Sequence, residues 1–273
     1  MSKKLPLTDF RAVRSMLEPH EFANSEGQDV APSDPVDEDV WDGIMHLPED
    51  VSIRISDHNG KRLKLLHSLW ADWIMAVGDD PEKPDELYNC MLEAADCFQC
   101  ANFNFLHGYY RAAVAELRVA FELVMIGTYG NLKPTDEKYT TWKMGAGELS
   151  FTRCRKNLSE IMSNGHVQWM FNDGELLATA YRRLCNYTHS RPGTNYGALW
   201  ESNGPVYNNQ AIRITFLTFL SVVAICYLLV RLARPRFTIP KNSAILFELE
   251  WISDHHKLVL AFTELYGKVS GAP

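Results

Sequence analysis

Apolar residues recur at helical spacing along most of this chain, and the breaks between the runs mark the elements. From residue 61 to 77, Leu63, Leu66, Leu69, Trp70, Trp73 and Ile74 fall three or four apart, which predicts one amphipathic helix. Gly78-Asp79-Asp80-Pro81 ends it. Leu87, Met91, Ala94, Ala95 and Phe98 predict a second helix over about 85–105. Tyr109 to Met125 predicts a third with a wide apolar face, ended by Gly127 and Gly130. A polar loop from Leu132 to Gly147 leads to a helix over 148–162, and the Asn172-Asp173-Gly174 turn leads to another over 174–189. A last helix over 243–268 carries Trp251 and Phe262 as anchors. Only Val51-Ser52-Ile53-Arg54-Ile55 alternates, and His58-Asn59-Gly60 follows it, which reads as one short strand or extended segment before a turn.

Ile214 to Val230 is a run of 17 residues without a charge. Spanning a bilayer takes about 20 apolar residues, and Thr215, Thr218, Ser221 and Tyr227 dilute the run. It is read as the central helix of an all-α domain, which is apolar all round for the same reason. A membrane-associated effector using this helix is the competing reading. At the other extreme, residues 25–39 are acidic, contain two prolines and hold too little apolar surface to pack alone. Residues 1–50 are therefore expected to be an acidic N-terminal arm, and residues 51–273 the helical domain with its core over about 85–232. Met1-Ser2-Lys3-Lys4-Leu5-Pro6 has no apolar stretch behind its lysines, so no signal peptide is expected.

Composition adds two points. Six cysteines, mostly in apolar helical contexts, suggest reduced thiols in a cytoplasmic protein. Cys97 and Cys100 have Cys-x-x-Cys spacing, but no second pair follows at metal-finger spacing, so no metal site and no cofactor are expected. The net charge of −7 is unevenly spread. Residues 1–60 hold 13 acids and 5 bases, whereas residues 151–240 hold 4 acids and 10 bases. The basic surplus leaves room for a polyanionic partner despite the acidic total.

Within that basic segment lies Tyr181-Arg182-Arg183-Leu184-Cys185-Asn186-Tyr187-Thr188-His189-Ser190-Arg191-Pro192-Gly193. Pro192-Gly193 stops the helix, so His189 falls in its last turn. The negative end of the helix dipole favours the protonated imidazole there. Arg182 and His189 are seven positions apart, about two turns, and Asn186 lies between them on the same face. A cation, an amide and an imidazole in one stripe suit the handling of a phosphate. Taken alone, the same residues favour a solvated helix end with a charged face. On the third helix, Arg118 and Glu122 are four apart and placed to pair.

Arg183-x5-His189 and Arg182-x6-His189 resemble the signature of the HEPN family of all-α domains, an arginine and a histidine with four to six residues between them at a helix end. Ala113 to Tyr129 is similar to an earlier HEPN helix carrying an Arg and a Glu four apart. The resemblance covers about residues 85–232. It implies a HEPN-like helical bundle, here with an N-terminal arm and an extra C-terminal helix. It further implies a metal-independent endoribonuclease acting as a toxin or antiphage defence effector, working on RNA as a homodimer and held by an antitoxin or other regulatory partner. By position, His189 is the general acid/base, Arg182 or Arg183 stabilises the phosphorane, and Asn186 fills a polar role. Glu122, Arg118, Tyr187 and Arg191 are supporting residues, with Glu122 expected to orient an arginine across the helix pair. In many active members a polar residue directly follows the arginine; here Arg183 is followed by Leu184 and Arg182 by Arg183. The alternative is a HEPN-like module that binds nucleotide or RNA, or regulates a partner, without catalysis.

Overall fold

The computed structural model describes residues 38–82, 85–162, 167–188, 204–241, 243, 245 and 255–267. Among them the chain is all-α, with eight α-helices, one 3-10 turn and no strand. It divides into two compact units, 1–44 and 45–273, with the division falling inside the first helix. Of the first unit only residues 38–44 are described, as the opening turns of that helix.

Helix α1 runs over Glu38–Gly78. It takes in residues 38–50, expected in the arm, and the expected strand at Val51–Ile55 is helical too. The reason is visible in burial. Val51 and Ile55, one turn apart, are both buried, whereas Ile53 between them faces solvent. The alternation that suggests a strand is one helical turn read too locally. The His58-Asn59-Gly60 turn signal marks a kink instead: Asn59 leaves helical geometry at φ −128°, ψ 22° and the helix resumes.

Helices α2 (Glu86–Leu106) and α3 (Tyr110–Leu132) form a hairpin packed along its length. Asp85 caps α2, accepting from the Tyr88 amide at 2.8 Å. Gly108 turns the chain at φ +78°; a Cβ there would lie 2.7 Å from the backbone of Val206 and from Val51 Cγ1. Glycine is needed both for the dihedral and for the approach. Gly127 and Gly130 do not end α3 as expected but sit buried within it. They are contact points, not stops: a Cβ on Gly130 would overlap the Tyr139 ring. Tyr139 belongs to α4 (Glu137–Lys143), a short helix inside the expected polar loop, capped by Asp136.

Helix α5 (Phe151–Ile161), capped by Ser150, leads through the 3-10 turn Gln168–Phe171 to α6 (Leu176–Thr188). Helix α7 (Asn209–Ala233) carries the uncharged run. It is long and apolar enough to cross a membrane, and 78% of its most apolar window is buried inside the fold. It packs against α3 and against α8 (His255–Tyr266). Trp251 lies outside the described residues, while Phe262 is fully buried.

The core gathers on Trp73. Its ring meets Phe98 at 5.5 Å and Tyr227 at 5.0 Å between centroids, both edge-on, and its indole N–H donates to the Met91 carbonyl at 2.9 Å. That one side chain ties α1, α2 and α7 together with its polar atom satisfied. Helix α3 is the hub, packed on α2, α7, α6 and α5. Its contact with α6 positions the candidate site.

Candidate functional site at the end of helix α6

Helix α6 begins after Gly174, at φ +84°, whose carbonyl accepts from the Thr179 hydroxyl at 2.9 Å. Leu177 and Leu184 are buried at 0% and 1% exposure and set its inward face. At about 100° per residue, Tyr181, Cys185 and Thr188 fall on the flank beside them. Arg182 and Asn186 fall opposite and are exposed. Arg183 and Tyr187 are on the other flank, each half-buried. The helix therefore separates the two arginines: Arg182 shares the solvent face with Asn186, and Arg183 does not. His189 and Arg191 lie outside the described residues.

The flank toward α3 carries a polar network. Arg118 Nε donates to Glu122 Oε1 at 2.9 Å, as the four-residue spacing predicts. The Tyr181 hydroxyl donates to the same carboxylate oxygen at 2.6 Å. Arg118 also reaches Tyr181 OH at 3.4 Å and Thr188 Oγ1 at 3.3 Å, and its guanidinium carbon lies 5.6 Å from the Tyr181 ring centre. Phe151 stacks on that ring at 4.0 Å and 7°. Two turns further toward the N-terminus of α3, Arg111 Nε donates to the Tyr187 carbonyl at 3.4 Å. Two arginines of α3 thus grip the C-terminal turn of α6, where the negative end of the dipole favours cations.

Charges in this network are tuned by burial and by each other. Burial alone would lower the Arg118 pKa, but Glu122 outweighs it and holds the guanidinium above its ordinary value. Tyr181 is pushed up, first by burial and then by its bond to Glu122, so it stays a neutral donor. Glu122, expected to orient an arginine across the helix pair, holds Tyr181 on α6 instead, and the arginine it pairs with, Arg118, is on its own helix. Sequence reasoning singled out Arg118, Glu122 and Tyr187 but missed Tyr181 and Thr188. Their signal was available: they are seven apart, on the flank between the buried leucines and the exposed stripe.

The basic surplus of residues 151–240 is in part structural. Buried Arg155 binds the Phe171 carbonyl and Asp173. Arg231 binds the Leu265 carbonyl at 3.1 Å and the Phe237 carbonyl at 2.8 Å. Arg234, fully buried, pairs with Asp80 and Asp85. These cations hold loops and helix ends, so the charge count overstated what faces a ligand. Among the described residues, no group of three or more His, Cys, Asp or Glu is placed to hold a metal ion. Burial, aided by Glu116, pushes the Cys97 thiol up to about 12, the opposite of what a thiolate ligand requires.

The chain matches no protein-family model, no curated protein and no solved structure.

Proposed function

We propose that this chain is a HEPN-like, metal-independent endoribonuclease that works as a homodimer in the cytoplasm, as a toxin or antiphage effector. The observation that carries the reading is the exposure of Arg182 and Asn186 as one stripe on the last turns of α6, immediately before His189. The Arg118–Glu122–Tyr181–Thr188 network braces that end of the helix from behind. In this reading His189 takes the proton from the 2′-hydroxyl of RNA. The 2′-oxygen attacks phosphorus, and Arg182 stabilises the charge that develops on the phosphorane. The bond to the 5′-oxygen breaks and the protonated His189 returns its proton to that oxygen, leaving a 2′,3′-cyclic phosphate and a 5′-hydroxyl. Arg182 is preferred over Arg183 because it shares the open face with Asn186. Arg182 and Asn186 are exposed in the single chain, as a cleft shared by two α6 helices requires.

Purified His189→Ala protein is expected to lose RNA cleavage by at least about a hundredfold while keeping its thermal transition. Cleavage at the wild-type rate would refute the assignment.

A second reading rests on Leu184. If Arg183 is the motif arginine, Leu184 stands where many active family members have a polar residue, and at 1% exposure it is committed to the core. That favours a binding module without catalysis. It predicts no cleavage under any metal condition, with RNA binding that Arg182→Ala abolishes.

A further inference from the structure

The kink in α1 opens a cleft of about 940 Å³, at the upper end of the range of small-ligand sites. Its lining includes Asp57, His58, Lys61, Arg62, Lys64 and Phe216. Three cations on four consecutive positions face one hollow. Among the described residues none of the three is paired with a carboxylate.

One of them is held in place. Arg62 Nη1 donates to Asn59 Oδ1 at 2.5 Å, and Asn59 Nδ2 donates to the Tyr207 hydroxyl at 3.4 Å. Asn59 is only 6% exposed, so the residue that breaks the helix is also the residue that orients the guanidinium. One face of Arg62 lies over the Phe216 ring, 5.7 Å from its centre. A half-buried guanidinium, fixed on one edge and one face, still has free N–H donors for an oxyanion. Lys61 and Lys64 are exposed and flexible, and supply charge around it.

We propose that this cleft binds a phosphate ester, carried either by the backbone of a single-stranded nucleic acid or by a free nucleotide. The chemistry of the lining favours the phosphate over the base. Phe216 is 3% exposed and covered by Arg62, so it offers no stacking surface. The exposed ring is His58, which meets Tyr207 edge-on at 5.8 Å. Recognition is then largely indifferent to sequence. Asp57 is the counterweight: its carboxylate lines the same hollow and opposes an anion. None of these residues belongs to the α6 stripe, and the inference goes beyond the cleavage reading and does not depend on it.

The test uses the full chain and a fluorescent single-stranded DNA 12-mer, which has phosphates but no 2′-hydroxyl and so reports binding without cleavage. ATP and inorganic phosphate are titrated separately by calorimetry. Lys61→Ala/Lys64→Ala is expected to keep its thermal transition, since both side chains are exposed. It is expected to bind the 12-mer about tenfold more weakly, with the log–log salt slope shallower by about 1.4, from two lost contacts at about 0.7 each on a single strand. Asp57→Asn is expected to bind more tightly, a change that a merely structural aspartate would not produce. If ATP affinity falls with the lysines and 12-mer affinity does not, the source is a nucleotide. If neither ligand binds the wild type, or both bind the double variant unchanged, the proposal is overturned. RNA cleavage is scored on the same preparations. Weaker binding in proteins that cut no RNA leaves the cleft standing and the nuclease reading fallen. Normal cutting with unchanged binding does the reverse.

Discussion

Two arginine–carboxylate clusters in this chain use the same chemistry and do different work. At the base of the core, Arg234 meets Asp80 and Asp85 with its side chain fully buried, while Asp85 also caps α2 and accepts from Asn131 at 3.2 Å. On the flank of α6, Arg118 and Glu122 pair with side-chain exposures of 25% and 30% and share Tyr181. Burial decides the difference. Removing water strengthens the first pair's attraction but leaves a severe penalty for any charge that loses its partner. The second pair retains solvent, contributes modestly, and keeps donors and polarity available near the surface. The first cluster therefore specifies where α7 ends against the loop between α1 and α2. The second sets the geometry of a helix end without holding the fold together.

The largest effect should follow from breaking the buried cluster. Arg234→Ala leaves Asp80, 2% exposed, without its cationic partner, and is expected to cost about 3–5 kcal/mol in urea unfolding. Arg234→Met with Asp80→Leu removes both charges and should recover most of that loss. A single variant within about 1 kcal/mol of wild type would show that the cluster does not anchor the end of α7.

Raising the pH should come next, and it separates core from flank. Burial, aided by Glu93, pushes the Cys90 thiol up from 9.0 to about 12, and burial also carries Cys154 up to about 12. Burial likewise raises Tyr110 and Tyr139 from 10.0 to about 12. Each folded value lies above the unfolded one, so each group's contribution is complete below about pH 9–10 and is lost as pH rises toward 12. Circular dichroism should show stability falling across that window. Tyr181→Phe removes one raised phenol of the flank and should blunt the fall only slightly. A flat profile to pH 12 would contradict the burial of these thiols and phenols.

A smaller effect tests the flank cluster itself. Glu122→Gln keeps the size and one acceptor but removes the charge that binds Arg118 and Tyr181. Stability should drop by no more than about 1 kcal/mol, as for a partly exposed pair. Cleavage or RNA binding should fall about tenfold, with Glu122→Asp between the two, because Arg118 no longer holds Thr188 and the end of α6. Loss of several kcal/mol without a functional change would move this cluster into the same class as Arg234.

How much of this was legible in the sequence follows the same division. The helices of the core were, because α2, α3 and α7 each bury a broad apolar face and periodicity records burial. The Arg118–Glu122 pair was, because four-residue spacing on a helix is local geometry. What was not legible depends on neighbours distant in sequence. Gly127 and Gly130 look like stops, and nothing nearby announces that Tyr139 occupies the space a side chain would fill. Val51–Ile55 looks like a strand until both ends of the turn are seen to be buried. The charge surplus of residues 151–240 looks like a ligand surface until Arg155, Arg231 and Arg234 are found bonded to carbonyls and carboxylates. Arg182 and Arg183 are adjacent and chemically identical, and their separation needed only the helical phase of Leu177 and Leu184.

That separation carries the smallest effect on stability and the sharpest functional contrast. Arg182 is exposed on the face opposite the buried leucines, so Arg182→Ala should leave the thermal transition unchanged. Arg183 is half-buried on the other flank, so Arg183→Ala should lower it measurably through lost packing of its methylene stem. If the open stripe is the phosphate-handling face, Arg182→Ala should lose cleavage or binding by about a hundredfold or more and Arg182→Lys should recover only part, because a point charge replaces a planar fork. Arg183→Ala should retain most of its function once its lower stability is allowed for. The reverse order would assign the phosphate to the Arg183 flank, leaving Arg182 and Asn186 as a solvated helix face.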